Sequence, residues 1–194
     1  MKGFTLVEVL TALTLVLVLT AITLPLTDRM RQEGQVRGAA FALAGRCGRV
    51  RFQAVHRAAH VGLRFSATGD SWVAQTFVDG DWDGVRTADI ASGRDPAIDE
   101  PLPVQALFPG ARFGFADQCP LIDGTAVTEG SNPLRIGTAK TLIFTPDGSA
   151  SGGTLYLRGG PHASGYAVVI LAATGRTRVL RCAPGTGAWT SDGR

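Results

Sequence analysis

The apolar positions change their rhythm along this chain. From Val9 to Thr27 there is no charged residue, and Leu, Val, Ile, Ala and Thr dominate the 19 positions. At about 1.5 Å per residue such a helix just spans a hydrocarbon core. Its threonines cost little, because a hydroxyl bonds back to the carbonyl one turn earlier. Pro25 removes one backbone bond near the end of the run and is expected to kink or loosen the helix there. Beyond it, "DRMRQEGQVRGAAFALAGRCGRVRFQAVHRAA" holds no proline, and Val36, Ala40, Leu43, Cys47, Val50 and Val55 recur three to five residues apart. That is the stripe of a helix lying on a core, with arginines filling its other face. The pattern predicts one long helix from Phe4 to about Ala58, half in a membrane and half on a globular domain. Gly34, Gly38, Gly45 and Gly48 each weaken it by up to about 1 kcal/mol relative to Ala, and are expected to allow close packing against a sheet.

From His60 the period shortens. "HVGLRFS" alternates, "SWVAQTFVD" reads as a second strand, and "ATGD" between them predicts a hairpin. "ARFGFA", "KTLIFTPDG", "GTLYLRG", "YAVVILAATG" and "RTRVLRCA" follow, each short, β-rich and bounded by Gly, Pro, Asp or Ser. That spacing predicts an antiparallel sandwich or two small sheets. Two stretches, "SGRDPAIDEPLPVQ" through Leu107 and "DGTAVTEGSNPLRIG", read as exposed loops. No internal repeat is visible.

Composition agrees with this division. The 194 residues suffice for one ordinary domain and an appendage. With 25 glycines and only 18% charged residues, the chain suits a turn-rich β domain better than a helical bundle. The net charge of +3 is modest, but seven arginines and one acid, Glu33, lie between Arg29 and Arg57. This stripe is either a solvated helix face or a surface for phosphates, lipid headgroups or an acidic partner. Cys47, Cys119 and Cys182 lack CxxC spacing, which argues against zinc. Outside the cytoplasm one pair can form a disulfide. Cys119 and Cys182 both fall in the β region and are the favoured pair, although sequence alone does not give connectivity; Cys47 is then the odd thiol, expected to be buried on the helix.

The N-terminus poses a separate problem. Only Lys2 is positive before the apolar run, Glu8 stands at its head, and no small-x-small site ends it. An ordinary secretory signal fits poorly, and an isolated carboxylate near lipid needs a partner. Gly3 followed by Phe4-Thr5-Leu6-Val7-Glu8, directly before an uncharged span, resembles the class III signal of type IV pilins and pseudopilins. The resemblance implies that a dedicated prepilin peptidase/methyltransferase cuts after Gly3 and methylates Phe4. Glu8 then falls at the fifth residue of the mature chain. In the family this glutamate is thought to pair with the N-terminal amine of a neighbouring subunit. The physics agrees: opposite charges in a low-dielectric layer attract strongly when paired and are costly alone.

A second resemblance lies at the other end. "LIFTPDGSASGGTLYL" and "YAVVILAATGRTRVLRC" are similar to the C-terminal part of the GspH/FimT group of minor pseudopilins, through Phe144, Pro146, Gly148, Gly175 and Arg176. The implied fold is a long N-terminal helix packed on a two-sheet β domain, which matches the independent pattern reading.

Candidate chemistry is sparse. In "DGDWDGVRTADI", Asp79, Asp81, Asp83 and Gly84 resemble the first half of a calcium loop. The twelfth position is Ile90 rather than a bidentate Glu, and Asp89 comes one residue early, so an Asp/Gly turn capping its own amides is the competing reading. His56, His60 and His162 show no metal spacing. There is no G-x-S-x-G elbow and no P-loop. In "GRTRVLRC", Arg176 and Arg178 share one side of a strand, with Arg181 offset. Some members of the FimT-like branch bind DNA through basic C-terminal residues, but three arginines without interleaved aromatics are also an ordinary solvated strand.

The sequence therefore predicts an α+β, pilin-like chain: leader 1–3, membrane and assembly half-helix 4–27, amphipathic half-helix 28–58, and a GspH-type β domain 59–194. It is expected to be a non-enzyme without cofactors, held single-pass in the inner membrane with its C-terminal domain in the periplasm. Its expected partners are the prepilin peptidase, other minor and major pilin-like subunits and the membrane, with DNA less favoured. A type II secretion pseudopilus and a type IV pilus, where it would prime assembly or help DNA uptake, compete as its setting.

Overall fold

The structure, a computed structural model, describes residues 5–69, 71–161 and 163–192, without the side chains of residues 22 and 24–26. Helix α1 (Leu6–Arg57) runs unbroken for 52 residues, past Pro25. Thr5 caps its start, its hydroxyl accepting the amide of Glu8 at 3.3 Å. Ala58 ends it in the left-handed region (φ 50°), returning its amide to the carbonyls of Ala54 and Val55. His56 and Arg57 in the last turn complement the helix dipole. Along the first half, the hydroxyls of Thr11, Thr14, Thr20, Thr23 and Thr27 donate to carbonyls three or four residues back, at 2.7–3.0 Å. Each polar side chain in the run is thereby satisfied inside the helix. Among the described residues no helix is long and apolar enough to cross a membrane.

Two antiparallel sheets follow. The first orders β3 (Leu102–Pro103), β2 (Ser71–Val78), β1 (Val61–Thr68) and β6 (Thr141–Phe144). β1 and β2 form the predicted hairpin, with Val61 opposite Val78 and Thr68 opposite Ser71. The second orders β10 (Trp189–Ser191), β9 (Thr177–Cys182), β8 (Gly165–Ile170), β7 (Gly153–Arg158) and β4 (Arg112–Phe113), with β5 (Leu134–Arg135) also pairing with β7. Short helices α2 (Thr87–Ser92) and α3 (Val104–Leu107) lie between β2 and β4.

The second half of α1 lies across both sheets. Val36, Ala39, Ala40, Leu43, Cys47, Val50 and Ala54 are fully buried and share one core with Val61, Leu63 and Phe65 of β1, Leu142 and Phe144 of β6, and Tyr166, Val168 and Ile170 of β8. Val55, expected in this stripe, is 49% exposed, and Ala54 takes its place. Five residues beyond Val50 is about 140° around the helix, whereas four residues keep the face. Only Gly38 among the four helix glycines is in close contact: a Cβ there would meet the Phe108 ring at 2.9 Å, while Gly34, Gly45 and Gly48 face open space.

The far face of the second sheet carries a smaller core of Leu121, Tyr156 and Ala167, roofed by Phe115, Val127 and Trp189. The two supposed exposed loops are partly built into the fold. In the first, Asp95 is buried and Ala97 bridges to Phe77, and β3 extends the first sheet. In the second, Leu134 and Ile136 are buried beside β7. β3 and β5, two residues each inside these stretches, carry too little alternation to be read as strands.

Candidate functional site

Two regions hold the predicted site residues, the bare half of α1 and the surface joining α1 to the sheets. Gly3 and Phe4 lie outside the described residues. Glu8 is exposed in the first turn, with Thr5 as N-cap three residues before it, the spacing of a capping box. Among the described residues its carboxylate makes no ion pair within the chain. Leu6, Val7, Val9, Leu10, Leu13 and Leu15 to Leu19 are likewise exposed, so the described apolar side chains of this half lie outside the core of the domain.

The junction is polar and specific. Glu33 accepts the amide of Ser164 at 2.8 Å and the hydroxyl of Tyr166 at 2.9 Å, and pairs with Arg181 at 3.1 Å. Arg181 Nε also donates to Ser164 Oγ at 3.0 Å. Burial alone pushes Glu33 up, but these hydrogen bonds and Arg181 outweigh it, and the carboxyl rests below its ordinary value. The same burial and the charge of Glu33 push the Tyr166 hydroxyl well up. Arg46, expected on the solvent face, is instead buried: it pairs with Asp99 at 2.6 Å and donates to the Glu100 carbonyl at 2.9 Å. Arg37 reaches Asp192 at 3.1 Å.

Arg51 explains the glycine motif near the C-terminus. Its Nε donates to the Gly148 carbonyl at 2.9 Å. Gly175 packs so closely on that turn that a Cβ would lie 2.4 Å from the Gly148 oxygen and 3.0 Å from Arg51 Cδ. Both glycines have positive φ, +83° and +58°. Hydrogen bonds from Thr145 and from the Ser149 amide and hydroxyl fix the turn and hold Asp147 down at about 2. Phe144 is fully buried. Phe144, Gly148 and Gly175 thus form one joint where both sheets meet the helix.

Cys119 and Cys182 are joined by a disulfide, with Cα atoms 6.2 Å apart. It ties the 115–127 segment to the end of β9, helped by the Trp189 indole donating to the Pro120 carbonyl at 2.9 Å. Cys47 is free and buried, and burial pushes its thiol up to about 12.

Asp79, Asp81 and Asp83 do converge. However, Asp79 already accepts the amides of Asp81 (3.2 Å) and Trp82 (2.8 Å) on Oδ1 and of Gly84 (2.8 Å) on Oδ2. Asp83 pairs with Arg86 at 2.5 Å. Asp89 sits buried on α2, turned to Arg94 at 3.5 Å. This is the geometry of a self-capped turn. His56 stacks on Phe52 and His60 lies past the helix end, so the two do not share a helix face; His162 is outside the described residues. Arg176 and Arg178 are exposed, whereas Arg181 lies on the opposite side of β9 and is engaged by Glu33. In the sequence Glu33 stands out only as the lone acid among arginines, and nothing local marks a role for Tyr166 or Asp95.

A half-bare N-terminal helix laid across two antiparallel sheets defines a pilin-like class of subunit. The family described as type II transport protein GspH matches residues 39–175, well over half of the chain, and the chain belongs to this family. The matched region includes the Phe144–Gly148 and Gly175 joint. Among solved structures, the chain is similar to the minor pseudopilin EpsH from the Type 2 Secretion System of Vibrio cholerae. That similarity is 11% in sequence identity, covers 78% of this chain and 98% of the other, and has a TM-score of 0.45. No curated protein matches the chain.

Proposed function

We propose that the protein is a minor pseudopilin, a subunit of the pseudopilus of a type II secretion system. Membership of the GspH family over residues 39–175 carries this reading. In it, the uncharged Val9–Thr27 run is stored in the inner membrane with the β domain in the periplasm. The prepilin peptidase cuts after Gly3 and methylates Phe4. Glu8 then meets the N-terminal amine of a neighbouring subunit, and the exposed apolar helix moves from lipid into the filament. Support comes from the Gly3–Glu8 motif, from threonines that satisfy their hydroxyls within the helix, and from the contrast between a bare first half and a firmly docked second half.

The second reading is a minor type IV pilin that primes pili or assists DNA uptake. The exposed Arg176 and Arg178 favour it, and the engagement of Arg181 with Glu33 weakens it. A deletion strain separates the two when secreted proteins and surface pili are scored on the same cells. The secretion reading predicts loss of secreted proteins with pili intact, restored by the wild-type chain and not by Glu8→Ala. Loss of pili with secretion intact would overturn it in favour of the pilus reading. Full rescue by Glu8→Ala would make the helix a mere anchor.

A further inference from the structure

The end of the β domain nearest the apolar helix is rich in arginines that lack acids. Arg29 and Arg31 stand just past the uncharged run that ends at Thr27, and both are exposed, as is Met30 between them at 70%. At about 1.5 Å per residue they lie some 3–6 Å beyond that run. Two further arginines reach this level from the second sheet. Gly159 and Gly160 press the turn after β7 onto α1, so closely that a Cβ would meet Val36 at 2.7 Å and Gln32 at 2.1 Å. Arg158 precedes them, and Arg112 stands directly opposite it on β4. Both line one cavity of about 630 Å³, with Pro184 in its wall. Pro184 also borders Arg29, Met30 and Glu33, so the cavity opens beside the first exposed turns of the helix past Thr27.

The charges at this end do not cancel. Arg37 pairs with Asp192 and Arg181 with Glu33. Among the described residues Arg29, Arg31, Arg112 and Arg158 have no acidic partner. Against them stand two acids without an ion pair, Asp28, which accepts from Gln32 at 2.8 Å, and Asp117 in the cavity wall. The excess is two positive charges. Arg112 and Arg158 also oppose each other across a strand pair, a register in which like charges destabilise the sheet. Gly114 keeps room for one of them, since a Cβ there would lie 2.8 Å from Arg158 Nε. An anion reached by both guanidinium groups relieves their repulsion, and the planar fork of each matches the oxygens of a phosphate.

We propose that this end of the domain binds an anionic phospholipid, its phosphate held by Arg112 and Arg158 and the neighbouring headgroups met by Arg29 and Arg31. The occupant follows from position. The proposal rests on the reading in which Val9–Thr27 lies in a membrane, and the headgroup layer then extends roughly 5–8 Å past the hydrocarbon. Arg29 and Arg31 fall inside that layer, and Met30 between them has the apolar side chain that suits its inner edge. Gln32 and Val36, the level of the cavity, lie about 8–14 Å past Thr27, and long arginine stems cover the remaining distance. A lipid whose phosphate charge is not balanced by an amine is preferred, because an excess of arginines beside a membrane gains from a negative surface. The contact holds the β domain down on the bilayer.

The test places the full chain in vesicles of phosphatidylcholine, with or without added phosphatidylglycerol, and follows amide hydrogen exchange by peptide. The expected result is exchange slowed at least about fivefold in residues 109–117 and 158–161 only where phosphatidylglycerol is present, with residues 9–27 protected in both vesicles. Arg112→Gln with Arg158→Gln should abolish that slowing, with the melting temperature in micelles and the disulfide unchanged. The wild-type comparison between the two vesicles needs no variant. Equal exchange in both vesicles with 9–27 protected would overturn the proposal and leave the membrane reading standing, whereas unprotected 9–27 would overturn both. Slowing that survives the double substitution would place the lipid elsewhere and overturn the assignment. The same slowing in micelles with inorganic phosphate alone would make the cavity a site for a free anion and overturn the lipid as its occupant.

Discussion

Glu33 is the residue on which the docking of the helix turns. It is partly buried, and it receives the amide of Ser164 just before β8, the phenol of Tyr166 on β8 and the guanidinium of Arg181 on β9. Its folded pKa is depressed, so its contribution is present at neutral pH and is lost as the pH falls through the folded value, below the ordinary 4.5. Acid should therefore loosen the α1–β8 junction. Urea melts of the full chain in detergent from pH 7 to pH 3 should show a falling midpoint, and Glu33→Gln should flatten that fall while lowering stability at pH 7 by about 1–2 kcal/mol. An unchanged acid limb in Glu33→Gln would remove Glu33 from this role. The residue was present in the sequence as the exception in a basic stripe, but nothing local said that its partners lay some 130 positions away. Phe144, Gly148 and Gly175 were legible for the opposite reason, because two glycines forced by close approach leave a short pattern in the chain.

At the level of elements, segments with a repeating pattern or with turn residues at both ends announced themselves, short β4 and β6 included, whereas β3 and β5 did not. α1 and the β1–β2 hairpin follow from periods of 3.6 and 2, and β7, β8 and β9 from β-rich runs bounded by turn residues. β3 and β5 are two residues each and exist only because a neighbouring strand has an edge to offer. The alternation in β8 shows why sheet two needed a roof. Tyr166, Val168 and Ile170 face α1, while Ala167 faces Leu121 and Tyr156. The roof is an irregular segment with little sheet pairing of its own, so its attachment falls to the disulfide and to Trp189. Opening the Cys119–Cys182 link, which spans 63 positions, should cost about 4 kcal/mol on chain-entropy grounds. Cys119→Ser/Cys182→Ser should lower the unfolding free energy by 2–4 kcal/mol and make the 115–127 segment the first site of protease cleavage. Cleavage that begins elsewhere would mean that the roof is held by packing alone.

The whole molecule is two objects joined by one helix. From Glu33 onward one face of α1 is buried in a common core and fixed by Glu33, Arg46 and Arg51; before residue 28, the large apolar side chains among the described residues are exposed. An apolar helix half left bare by its own domain needs either lipid or neighbouring helices around it. A pseudopilin, as proposed, would meet both in turn, membrane first and filament second, with Glu8 marking the register. For a pseudopilin, processing as a prepilin comes before every later step. The most direct test is the mass of the N-terminal peptide of the protein recovered from its native membrane. A prepilin gives a peptide beginning at Phe4 with an N-methyl group, and a chain still beginning at Met1 when the prepilin peptidase is absent. An N-terminus retained at Met1 in peptidase-positive cells, or a cut downstream of the apolar run, would contradict it.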